Sequence, residues 1–79
     1  MARVLLFGPL RDLAGWREKT VEASSLSGLR AALQAQDPLL GEALSGPGVQ
    51  AAVDKAIVRG EAPLTALTEV AFLPPMSGG

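Results

Sequence analysis

Two short apolar runs at opposite ends of the chain constrain its fold more than any other feature. Val4-Leu5-Leu6-Phe7 stands near the start and Val70-Ala71-Phe72-Leu73 near the end. Neither run alternates polar with apolar residues, so each reads as a strand buried on both faces. Such strands belong in the middle of a sheet, and the two can be parallel central neighbours. With 79 residues, 48% of them hydrophobic and none of them Cys, the chain can form one small domain whose core closes without disulfides.

The residues between the runs predict the remaining elements. The first strand spans Arg3–Phe7 and breaks at Gly8-Pro9. Pro9 opens a short helix through Ala14, with Leu10 and Leu13 on one side, and Gly15 ends it. Arg17–Glu22 alternates charged and small residues, as an exposed second strand does. Ser25 is the better N-cap of the Ser24-Ser25 pair. Leu26, Leu29 and Leu33 then recur at helical spacing as far as Gln36, where Asp37-Pro38 stops the helix. Gly28 within it is a mild penalty. Pro38–Leu44 predicts a further helical turn, and Ser45-Gly46-Pro47-Gly48 a loop. Val49–Val53 is strand-like, Asp54-Lys55 a turn, Ala56–Val58 a short strand and Arg59–Pro63 irregular. Glu69–Leu73 is the last strand, ended by Pro74-Pro75.

This order, with one main helix between two early and three late strands, is that of an α+β β-grasp (ubiquitin-like) domain, a mixed sheet wrapped around a helix. A ferredoxin-like sandwich needs a second substantial helix, and Pro38–Leu44 is short for that. The expected organisation is a β-grasp domain over 1–75 and a flexible tail over 76–79. One helix covers one face of the sheet. With Val4, Leu6, Val70 and Phe72 turned to the helix, Phe7, Ile57 and Leu73 fall on the open face as an expected docking patch. Charged residues are only 19% of the chain, which also leaves apolar surface for a partner.

Several function classes are disfavoured. The net charge is −1, and one Trp and two Phe give no stacking platform for bases, so nucleic acid is not an expected partner. The run ending at Phe7 is too short for a signal or a membrane span, so the expectation is a cytoplasmic protein away from membranes. Without Cys or His the chain has no thiolate, no usual general base and no common metal ligand, so no bound metal or cofactor is expected. Chemistry concentrates instead on Gly78-Gly79. Neither residue has a Cβ, so the backbone can thread a narrow channel. The α-carboxylate is an anion near neutral pH, with a pKa of about 3.3–3.7 and no leaving group. An outside agent has to activate it, typically as an acyl-adenylate made from ATP.

The ending Glu69-Val70-Ala71-Phe72-Leu73-Pro74-Pro75-Met76-Ser77-Gly78-Gly79 resembles that of the small subunits of molybdopterin synthases. So do Ala51-Ala52-Val53-Asp54 through Pro63-Leu64-Thr65, and Val4–Gly8 followed by Leu10-Arg11-Asp12-Leu13-Ala14-Gly15. Related carriers for thiamine synthesis are generally shorter and lack the Pro-Pro, and ubiquitin has basic residues before its Gly-Gly. Asp54, where the family often has Asn, and Ala66-Leu67-Thr68, in place of an Asp-Gly-type turn, depart from the pattern away from the tail. The resemblance implies a sulfur carrier. An E1-like enzyme adenylates Gly79, a sulfur-donating enzyme converts it to a thiocarboxylate, and the tail enters the large catalytic subunit in a heterotetramer. There it gives sulfur to a cyclic pyranopterin phosphate for molybdenum cofactor synthesis. The catalytic side chains are then the partner's. Gly79 is the reactive group and Gly78 the slender approach to it, with Phe7, Ile57, Leu73, Pro74, Pro75, Met76 and Ser77 meeting the partners. Two alternatives stay open: a ubiquitin-like carrier or modifier for thiamine synthesis, tRNA thiolation or lysine conjugation, and an interaction domain with an inert tail.

Overall fold

The apolar runs at the two ends of the chain lie side by side. In the computed structural model, which describes residues 1–75, β1 (Ala2–Leu6) runs parallel to β5 (Glu69–Leu73), with Val4 opposite Val70 and Leu6 opposite Phe72. On its other edge β1 pairs antiparallel with β2 (Glu18–Val21), and β5 pairs antiparallel with β3 (Gln50–Val53). β3 continues antiparallel to β4 (Ala56–Val58), giving the order β2-β1-β5-β3-β4. This is the β-grasp arrangement expected from the element order.

Three helices fill the connections: α1 (Pro9–Ala14), α2 (Leu26–Gln36) and α3 (Pro38–Leu44). α2 starts at Ser25, whose hydroxyl accepts from the Gly28 amide at 3.1 Å and satisfies an otherwise free helix-end donor. Its Leu26, Leu29 and Leu33 are buried against Val4, Leu6, Val70 and Phe72 on one face of the sheet. Val4, Leu29, Val70 and Phe72 retain no exposed surface, so the core lies between α2 and the two central strands.

The element ends differ from expectation for local reasons. Phe7 lies beyond β1, because the ladder ends where the Leu6 amide donates to the Arg17 carbonyl at 2.9 Å and Gly8 turns the chain. β2 and β3 are likewise shorter than the predicted Arg17–Glu22 and Val49–Val53. Pro38–Leu44 is a seven-residue helix rather than a single turn. Asp37 ends α2 and caps α3, its carboxylate accepting from the Leu40 amide at 3.2 Å, while Leu40 and Leu44 join the core. The irregular stretch after β4 lies against the start of α2. The Leu26 amide donates to the Ala62 carbonyl at 2.9 Å and the Leu64 amide to the Ser24 carbonyl at 3.0 Å. Ala62 and Leu64 are thereby buried. Asp54 and Lys55, both at positive φ, form the tight turn between β3 and β4.

Candidate functional site

Strand alternation decides which residues lie on the sheet face away from α2. Val4, Leu6, Val70 and Phe72 point inward, so Leu5, Ala71 and Leu73 point outward. The register sets Leu5 beside Ala71, Ala71 beside Ala52 and Ala52 beside Ile57, one row across four strands. Ala52 is buried yet belongs to no part of the helix-side core, as a small residue flanked by neighbours on the outer face should be.

Phe7 follows Leu6, and Leu73 follows Phe72, the parallel partner of Leu6, so the two stand at corresponding positions on neighbouring chain segments. Phe7 is 45% exposed, whereas Leu73 is partly buried. Ile57, 47% exposed, lies on the same face but is set apart from them by Ala71 and Ala52. The expected patch is therefore a Phe7–Leu73 pair at one corner and Ile57 across a shallow alanine floor. Leu5, Ala52 and Ala71 complete it. Their contribution follows from the register of four strands, which a sequence read strand by strand does not display.

Charge frames this face at both ends. At the start of β1, the Arg3 guanidinium pairs with the Glu69 carboxylate and lies 3.6 Å from that of Glu18. At the opposite end, Arg11 and Arg17 border a cavity of about 260 Å³ that Leu5 and Phe7 also line. Glu18 lines the same cavity and Asp12 lies 4.0 Å from the Arg11 guanidinium, so both ends of the face carry charges of both signs.

The root of the tail lies next to that corner. Pro74 is half-buried and Pro75 exposed; Met76, Ser77, Gly78 and Gly79 lie outside the described residues, as does the expectation of a flexible tail. Two glycine loops press on the root from either side. Gly8, directly after Phe7, has φ 57° and ψ −134°, and a Cβ there would stand 3.2 Å from Pro74 Cγ. Gly48, just before β3, has φ 84°, and a Cβ there would stand 2.6 Å from Pro75 Cβ. Residues with a side chain are strained at such angles by on the order of 1–3 kcal/mol, before any collision is counted. Beside the prolines runs an apolar groove of about 650 Å³, lined by Pro9, Leu10, Ala43, Pro47 and Val49. Neither the glycine contacts nor this groove is foreshadowed in the sequence beyond the turn-forming character of Gly8-Pro9 and Gly46-Pro47-Gly48.

Among the described residues, no group of three or more His, Cys, Asp or Glu side chains could hold a metal ion, and no helix is long and apolar enough to cross a membrane. Among the described residues, no side chain near the tail root is hydrogen-bonded as a nucleophile with a base. The arrangement can present a chain end and an apolar docking face to another protein.

These features define a ubiquitin-like β-grasp domain whose central strand leads into a Gly-Gly tail. The chain belongs to the ThiS family, whose profile its residues 4–79 match. It is 37% identical over 81 residues to the molybdopterin synthase sulfur carrier subunit of Escherichia coli K12, with both chains covered completely. Its fold is that of SAMP1 from Haloferax volcanii, with a TM-score of 0.86 over 99% of this chain and 98% of that one at 23% identity. It is also similar to a chain in the complex of subunits 1 and 2 of the molybdopterin-converting factor from Helicobacter pylori 26695. There the TM-score is 0.73 and the identity 25%, over 99% of this chain and 97% of that one.

Proposed function

We propose that this chain is the sulfur-carrier subunit of a molybdopterin synthase and that the α-carboxylate of Gly79 is its reactive group. The observation that carries the reading is the full-length likeness to the Escherichia coli subunit of that name. The tail root at the end of a central strand, beside an open apolar face, supports it.

The chemistry follows from what the carboxylate lacks. A carboxylate oxygen attacks the α-phosphorus of ATP in an E1-like partner, releasing pyrophosphate and leaving an acyl-adenylate. Sulfide-level sulfur supplied by a second enzyme attacks the acyl carbon and displaces AMP, and the chain end becomes a thiocarboxylate. In the large subunit this sulfur attacks a carbon of the pyranopterin substrate and displaces an oxygen from it, the electron pair of the broken C–O bond leaving with that oxygen. Hydrolysis of the resulting thioester-type link returns the carboxylate and leaves sulfur on the substrate. The folded part, 1–75, docks; the tail, 76–79, reaches. Four residues follow Pro75, a span of at most about 13–14 Å at ~3.3–3.6 Å per residue, so the partner's site lies within that distance of the tail root. Phe7, Leu73 and Ile57 make the apolar contact, Pro74 and Pro75 hold the base of the tail, and Met76, Ser77 and Gly78 line its path.

Intact mass of the chain co-purified from its native host tests the reading. The expected species is heavier by the replacement of one oxygen by sulfur, and deletion of Gly79 abolishes it without changing the melting temperature. Sulfur loading of the shortened chain overturns the proposal, and a mass increased by a whole protein supports lysine conjugation instead.

A further inference from the structure

We propose that Gly8 and Gly48 are positioning residues, forming a two-sided clamp on Pro74 and Pro75 that sets the direction in which the tail leaves the sheet. The proposal rests on the sulfur-carrier reading only for its consequence in transfer; the clamp itself is a property of the free domain.

The argument starts from where the two glycines come from. Gly8 follows β1 and Gly48 precedes β3, and these strands flank β5 on its two sides. The tail root therefore emerges between two loops, each belonging to a neighbour of the strand it continues. Each loop reaches its proline through a residue at positive φ, in a conformation that residues with a side chain rarely adopt. At Gly48 the approach is closest, because an added Cβ would sit 2.6 Å from Pro75 Cβ and 3.4 Å from Pro75 Cα. That collision is with the base of the proline and not with a flexible side-chain end. At Gly8 the added Cβ meets Pro74 Cγ at 3.2 Å, a milder conflict with the ring edge. Pro74 and Pro75 in turn have φ fixed by their rings and no amide hydrogen to pair with a neighbouring strand. Contact from the loops thus replaces the lost ladder as what holds the root. Residues after Pro75 start from this root, so a change of angle there shifts the volume within their reach. An attacking sulfur misplaced by about an ångström loses rate steeply, even when docking is unaffected.

The test uses the complete chain, whose lack of cysteine lets spin labels be placed only where introduced. Labels at Ser77→Cys and at the exposed helix position Gln36→Cys report the distance from tail to domain by pulsed electron resonance. Gly48→Ala is expected to remain folded and to shift or broaden that distribution. Turnover of the thiocarboxylated variant with the large subunit falls roughly ten- to a hundredfold, with KM little changed. Gly8→Ala gives a smaller effect in the same direction. If Gly48→Ala does not fold, Pro75→Ala and Pro75→Gly decide: Ala keeps the Cα and Cβ that meet Gly48 and retains the native distribution, and Gly loses it. A native distribution in folded Gly48→Ala, or in Pro75→Gly, overturns the clamp. A changed distribution with native turnover overturns its role in transfer. If the native chain itself transfers no sulfur, the sulfur-carrier reading fails, and the distance measurement still decides the clamp.

Discussion

Thr68 is the one buried polar residue of the described core, 5% exposed, and its hydroxyl is fully used. It accepts from the Thr65 amide at 2.8 Å and lies 3.1 Å from the Thr65 hydroxyl, while its carbonyl accepts from the Arg3 amide at 2.9 Å. The turn before β5 is thus closed by side chains and tied to the first residues of β1. Thr68→Val keeps the shape and removes the acceptor, leaving the Thr65 amide without its partner. Urea unfolding is expected to show a loss of about 1–3 kcal/mol; a loss below a few tenths would mean that water replaces the hydroxyl. Sequence reading placed Ala66-Leu67-Thr68 in a turn but not Thr68 in the core. The hydroxyl pairing depends on the chain folding back over three residues, and no periodicity marks it.

Elements whose signals are local were legible. Pro9 begins α1, Ser25 caps α2, and Asp37-Pro38 separates α2 from α3, each within a residue or two of expectation. What was not legible at this scale came from elsewhere in the chain. α2 has no acidic residue in its first turn, and the negative charge at its N-terminus is supplied by Glu61 from the segment after β4. The Glu61 carboxylate accepts from the Ser27 hydroxyl and from the Ser27 amide at 2.9 Å, and from the Ala62 amide at 3.0 Å. These bonds, that from the Ser27 hydroxyl foremost, hold its pKa below the ordinary carboxylate value. The ionised form is therefore favoured by folding. Its stabilising effect is complete above the unfolded value of about 4.3 and is lost as pH falls through the lower folded value. Unfolding of the native chain and of Glu61→Gln across acidic pH should show a stability difference that shrinks as pH falls. A difference constant with pH would falsify the role of the charge.

For the whole molecule, the residues expected from strand alternation to face the helix, Val4, Leu6, Val70 and Phe72, are the buried ones, paired across β1 and β5. The detailed shape of the open face was not predicted, because the alanine floor depends on the register between β5, β3 and β4. Phe7 contributes little to the core, being 45% exposed beyond the end of β1. Phe7→Asp is therefore expected to melt close to the native temperature and to weaken docking to the large subunit by roughly 2 kcal/mol or more, because a charge replaces an aromatic contact. Calorimetry showing native affinity would move the docking face elsewhere.

The strand order has a consequence for how the protein comes into being. β2 and β1 form one ribbon and β3 and β4 another, and the strand that joins them is β5, the last element among the described residues. Until residues 69–73 have left the ribosome, the nascent polypeptide has only two separate hairpin-like pairs, each marginal by itself in water. It also lacks Phe72, among the largest of the fully buried side chains. A fragment of residues 1–68 should show no cooperative unfolding transition by circular dichroism, and a sharp one would contradict this. Pairing the two ends of the chain is a long-range event, so folding is expected on the slow side for a domain of this size. Completion of the domain and delivery of the tail root are then one event. A polypeptide interrupted in synthesis, or trimmed into β5, loses the folded surface and the tail root together.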